Sequence, residues 1–177
     1  AEAEKRGLLN WKTTPDALPH FTDEKNVKMF KDHGIYTRSE IESRQEIALE
    51  EYAKTIRIEA LTSLDILKKQ IIPAAITYSG KLAGIVAKKK EIGIEAPAEL
   101  AQAREITDKT TALSRAVGAL EEKLNQAPEE TAAAAVYYAK DVIPGMEAAR
   151  GIADALELLV DKKEWPFPTY GDLLFYV

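Results

Sequence analysis

The sequence predicts an all-α protein built from a few long helices, and three observations carry that prediction. Alanine, leucine, isoleucine, glutamate and lysine dominate, while the 9 glycines and 8 prolines gather at a few breaks. Apolar residues recur at alternating steps of three and four in three separate stretches, the period of a packed helix face. Thr37 and Glu40 stand as a T-x-x-E capping box at the head of the longest stretch. The expected architecture is an elongated up-down-up antiparallel bundle of three long helices, two of them kinked by proline, with short flanking helices. Residues 1–36 read as a connector with a short helix, and residues 37–177 as the bundle with an aromatic C-terminal tail.

Taken in order, Ala1 to Arg6 has helix composition with no capping residue before it and no initiating methionine, so the sequence reads as a piece cut from a longer chain. Pro15 and Pro19 among Thr, Asn and Asp predict an extended connector over Leu9 to Phe21. Thr22 is the expected cap of a short helix through Lys31, stopped by Gly34. From the capping box the pattern stays helical to about Glu91, with Pro73 as the expected kink. Such a helix would be roughly 80 Å long if straight, against a radius of gyration of about 16 Å for a compact chain of this size.

After a break at Gly93 to Pro97, Ala103, Ile106, Thr110, Leu113, Val117, Leu120 and Leu124 form a coiled-coil type seam. Pro128 is expected to open a third helix to about Lys162, with Ala135, Ala139, Val142, Met146, Ala149, Ala153, Leu156 and Val160 as its seam. Ile72, Ala75, Ser79, Leu82 and Val86 form the third seam, on the back half of the first helix. Pro144 repeats the setting of Pro73, with Ile before each proline. The second helix has room to pair only with about Thr62 to Glu91, which leaves Arg38 to Leu61 projecting, although its apolar residues spread over several sides.

The composition bounds the chemistry. With no cysteine there is neither a disulfide framework nor a thiolate ligand or nucleophile. A net charge of −5 speaks against a nucleic-acid surface, and the short Lys88-Lys89-Lys90 run does not alter that. The apolar runs are too short to cross a membrane, so a cytoplasmic protein is expected. Glu42, Glu46 and Glu50 share a helix face, but no Glu-x-x-His accompanies them, and a solvated, ion-paired face is the simpler reading. The two histidines, His20 and His33, both lie in the N-terminal region and suit no nucleophile-base pair. No catalytic, cofactor-binding or metal-binding residue is therefore assigned. The candidate sites are interface residues: Ile47, Tyr52 and Ile58 as apolar anchors, Arg44, Glu46 and Lys54 at their rim, and Trp165, Phe167 and Tyr170 in the Pro-rich aromatic tail.

Several segments together resemble the C-terminal region of type III glutamine synthetases: KTTPDALP at 12–19, Phe30 to Gly34, SRQEI at 43–47, EEYAKTI at 50–56 with IEA at 58–60, IIPA at 71–74, and Trp165 to Phe175. The resemblance is specific over the first 75 or so residues and in the tail, and generic over the second and third helices. It implies a parent enzyme that joins glutamate and ammonia with ATP and magnesium in large ring-shaped homo-oligomers, and partners in the catalytic domain of the same chain and in neighbouring subunits. None of the metal, nucleotide or substrate motifs of such enzymes has a match in these residues. A stand-alone helical adaptor binding another protein through the 38–61 face, and a metal-dependent bundle on Glu42, Glu46 and Glu50, are the alternatives from other classes.

Overall fold

The computed structural model describes residues 2–168 and 170–175, and among them the secondary structure is helical throughout, with no strand. The chain packs into two compact units, Ala1–Glu59 with Leu124–Pro144, and Ala60–Lys123 with Gly145–Val177.

The first unit begins with α1 (Glu2–Lys5), α2 (Thr14–Ala17), a 3-10 segment (Leu18–Thr22) and α3 (Glu24–Asp32). The segment expected to be extended is thus mostly coiled into two short turns. Pro15 and Pro19 stand at the first positions of those turns, where a missing N–H costs nothing and the fixed φ suits a helix start. Thr13 caps α2, accepting from the Asp16 N–H at 3.3 Å and donating to the Asp16 carboxylate at 2.6 Å. Thr22 does not cap α3. Its hydroxyl donates to the Pro19 carbonyl, and the cap position falls to Asp23, without a side-chain bond. Gly34 stops α3 as expected, with φ of 63° and the Ile35 N–H donating to the Phe30 carbonyl.

Helix α4 (Arg38–Ile66) starts at the expected capping box: the Thr37 N–H donates to Glu40 at 2.7 Å, and the Glu40 N–H to the Thr37 hydroxyl at 3.3 Å. The Thr37 N–H first, and then the Thr37 hydroxyl donating to the same carboxylate at 2.8 Å, hold the Glu40 carboxyl below its usual range. Arg38 reaches back to the Glu24 carboxylate at 2.6 and 2.7 Å, and Gln45 donates to the Leu18 carbonyl at 2.8 Å, so the connector is fastened to α4 at two points. The other wall of the unit is α7 (Thr131–Tyr137), followed by a π-turn (Tyr138–Val142). This helix starts at Thr131 rather than Pro128, because the Glu130 side chain accepts from the N–H groups of Ala132 and Ala133 and supplies the cap. Pro15, Val27, Ile41, Leu49, Ile56, Ala134, Ala135, Tyr138 and Val142 are its buried residues.

The second unit holds α5 (Ile72–Glu91), α6 (Pro97–Asn125) up to Lys123, and α8 (Ile143–Glu157) from Gly145. A π-turn (Leu67–Ile71), one extra residue in a turn, precedes α5, and Pro73, where a kink was expected, is the second residue of α5. The Ile72 N–H donates to the Leu67 carbonyl five residues back, and Ile143 repeats this with Tyr138 ahead of Pro144. Gly93 closes the turn between α5 and α6 with φ of 74°, and the Ile94 N–H donates to the Lys89 carbonyl. The α6 seam lies inside as expected: Ala103, Ile106, Thr110, Leu113, Val117 and Leu120 are all buried, with Leu124 half-buried. The Thr110 hydroxyl, the one buried polar group of the seam, donates to the Ile106 carbonyl at 2.7 Å. From α8, Ala149, Ala153 and Leu156 are buried, but the helix ends at Glu157, short of the expected Lys162. Ion pairs Lys68–Glu121 and Lys89–Glu99, and the Ser79–Thr107 hydroxyl pair at 3.0 Å, tie this unit's segments together. Trp165 is buried here, and α9 (Tyr170–Leu174) follows.

Candidate docking surface

Helix α4 carries the expected interface residues, and its two sides differ. Toward the unit's interior it buries Ile41, Leu49 and Ile56. On the opposite side Ile47 is 58% and Ile58 64% exposed, and Leu61 continues the same face at 48%. Ile47 stands about three turns before Ile58 and Leu61 on this face, so the exposed aliphatics form an interrupted row. Lys54 lies between them and forms a 2.6 Å pair with Glu50.

Tyr52 points elsewhere. It is half-buried, and desolvation, aided by the charges of Asp16 and Glu59, raises its phenol above 10, so it faces the connector rather than the outward strip. Arg44 stacks its guanidinium 4.5 Å from the Tyr36 ring centroid, next to an aromatic row in which Phe30 lies 5.5 Å from Phe21 and 5.6 Å from Tyr36. Glu46 lines a cleft of about 430 Å³ with Glu42, Gln45, Glu129 and Glu130. In the tail, Trp165 is buried, Phe167 is half-buried, and the Tyr170 side chain lies outside the described residues.

The carboxylate face does not gather into a metal site. Glu42 lies 3.7 Å from Arg38, Glu50 pairs with Lys54, and no group of three or more His, Asp or Glu side chains converges among the described residues. This arrangement does not fit a magnesium nucleotide. His20 stacks on Trp11 with ring centroids 4.3 Å apart, and its Nδ1 lies 3.1 Å from the Asp23 carboxylate. His33 is the exposed C-cap of α3, as its position in the sequence indicates. No described helix is long and apolar enough to cross a membrane.

One surface was not anticipated. In the second unit Val86, Gly93, Ile94, Pro97 and Leu100 line a cavity of about 460 Å³ at the α5–α6 turn, where Ile92 and Ile94 are exposed. The isoleucines flanking Gly93 were the available signal, hidden because a glycine turn is ordinarily read only as punctuation.

The described residues thus form an all-helical chain in which α4, one of two 29-residue helices, exposes Ile47, Ile58 and Leu61 on one side. Comparison with known proteins gives the family. The glutamine synthetase C-terminal domain profile matches residues 1–90. Over 98% of its length the chain is 35% identical to a glutamine synthetase of Butyrivibrio fibrisolvens, 31% to the type-3 glutamine synthetase of Dictyostelium discoideum, and 31% to a glutamine synthetase of Bacteroides fragilis. The chain belongs to the glutamine synthetase C-terminal domain family. It spans about a quarter of the length of each of these relatives.

Proposed function

We propose that this chain is a non-catalytic helical domain of a cytoplasmic glutamine synthetase, serving subunit packing or docking on the catalytic part of the enzyme. In this reading the parent joins glutamate and ammonia with ATP and magnesium, and the chemistry belongs to the rest of the polypeptide. The observation that carries it is the outward row of Ile47, Ile58 and Leu61 on α4, which are 58%, 64% and 48% exposed. Uncovered apolar surface costs about 25 cal/mol per Å², so a long helix that keeps such a strip is accounted for by a partner. Lys54 stands within this row, and Arg44 and Glu46 are taken as its rim. The buried Trp165 and half-buried Phe167 secure the tail, leaving Leu173, Leu174 and Phe175 exposed as a second apolar group.

We also propose the up-down-up order for α5, α6 and α8. What supports it is the numbering of paired residues: Lys89 with Glu99, Ser79 with Thr107 and Lys68 with Glu121 run in opposite directions along α5 and α6. Gly145 beside Leu120, and Gln102 donating to the Leu159 carbonyl, do the same for α6 and α8.

The test uses a full-length synthetase carrying this domain. Ile47→Ser with Ile58→Ser should lower the yield of assembled enzyme while the isolated chain keeps its helix content. Normal assembly of the double variant would end the docking reading. The isolated chain should also show no glutamine formation and no ATP hydrolysis, and turnover by it would show that the domain is catalytic after all.

A further inference from the structure

The outward face of α4 has an order that determines what fits it. Along that face Ile47, Glu51, Lys54 and Ile58 follow at steps of four, three and four, the stagger of a coiled-coil seam. The order is a palindrome in which reversal exchanges the acid for the base. An antiparallel copy of the same helix therefore sets Ile47 opposite Ile58 and Glu51 opposite Lys54, and two-fold symmetry repeats each layer.

We propose that this face is an isologous contact, α4 of one chain packing antiparallel on α4 of a second copy. The inference deepens the docking reading above and rests on it, since it names the occupant of the same strip. Self-complementary charge is the argument: a face built for an unrelated partner has no reason to read alike in both directions, whereas a two-fold interface requires that residue i meet j while j meets i. The seam extends outward by one layer, where Arg44 lies opposite Leu61 and, on leaving the Tyr36 ring, can lay its aliphatic stem over it. It stops at the next, where Glu40 would meet Asp65 and repel. Lys54 now pairs with Glu50 of its own helix at 2.6 Å. That pair is exposed and weak, so exchanging or sharing it with Glu51 of the second copy costs little.

The experiment takes the chain as it is, over a concentration series in sedimentation velocity. A concentration-dependent dimer is expected. Glu51→Lys and Lys54→Glu each place like charges in two layers at once and should weaken the dimer about tenfold or more. The double reversal Glu51→Lys with Lys54→Glu restores the palindrome and should restore the dimer. Because the chain has no cysteine, geometry can be read directly. Under mild oxidation a mixture of Ile47→Cys and Ile58→Cys chains should give a disulfide-linked pair, whereas either alone should not, its thiols lying roughly 16 Å apart along the seam. Far-UV circular dichroism confirms that each variant keeps its helices. A chain that stays monomeric to millimolar concentration, a dimer indifferent to the single reversals, or a dimer that cross-links Ile47→Cys to itself would overturn the proposal. A monomer leaves docking on the catalytic part intact, since that is decided by assembly of the full-length enzyme.

Discussion

Helices α4 and α6 have the same length, 29 residues, and opposite designs. In α6 the large aliphatics other than Leu100, at the α5–α6 turn, form a single stripe, so one set of neighbours satisfies nearly all of them. In α4 the apolar residues divide into an inner set, led by Ile41, Leu49 and Ile56, and an outer set of Ile47, Ile58 and Leu61. A helix with one stripe is finished when its unit folds. A helix with two keeps one of them in water after its fold is complete, and in the docking reading that second set is what a partner covers.

The sharpest way to break this distinction is truncation. Leu113→Ala and Leu156→Ala, both fully buried, should each cost about 2–5 kcal/mol in urea unfolding through lost burial and a cavity. Enlarging Gly145 should come next. A Cβ there would lie 3.2 Å from Leu120 Cδ1, so Gly145→Val should cost about 1–3 kcal/mol by crowding the α6 stripe. Ile58→Ser, measured on dilute chain, should change stability by no more than about 0.5 kcal/mol, because its side chain is already in water. A loss comparable to that of Leu113→Ala would place Ile58 in the fold rather than on a docking face.

The smallest expected effect concerns acid. Glu40 and Glu130 cap α4 and α7, and both carboxyls are held below the ordinary 4.5, Glu130 by the N–H groups of Ala132 and then Ala133. A lowered folded value means that the caps contribute fully above about pH 4.5 and that their contribution is lost as pH falls through the lowered values. Denaturation midpoints should drop over that window, and Glu130→Ala should flatten the drop.

The sequence makes the α6 stripe legible because every member faces one way, and the period of the pattern is then the period of the helix. The capping box of Thr37 and Glu40 and the stops at Gly34 and Gly93 are equally plain, since each is a local bond or a local φ. The connector was harder. Proline reads as an interruption, yet Pro15 and Pro19 open short turns, because a proline at a helix start looks in sequence like a proline that ends one. Tyr52 and Ile58 could not be told apart as anchors by periodicity. Which side of α4 the connector covers depends on distant bonds such as that from Gln45 to the Leu18 carbonyl. The same limit applies to Trp165: a tail aromatic looks alike in sequence whether it plugs its own unit or waits for another.

The paired π-turns carry a consequence for how this chain can change length. Removing a residue from an ordinary helix rotates everything downstream by about 100°, which would turn a buried stripe toward solvent. A π-turn is a place where one additional residue has been absorbed, so that the helix beyond keeps its facing. Residues 67–71 and 138–142 are therefore the two stretches in which a one-residue deletion could be taken up without redirecting Ala75 and Leu82 in one case, or Ala149 and Leu156 in the other. The same deletion inside α6 has no such reserve. Lineages of this domain that differ by a single residue in a long helix should carry the difference beside Pro73 or Pro144, and keep the stretch from Ala103 to Leu120 at constant length.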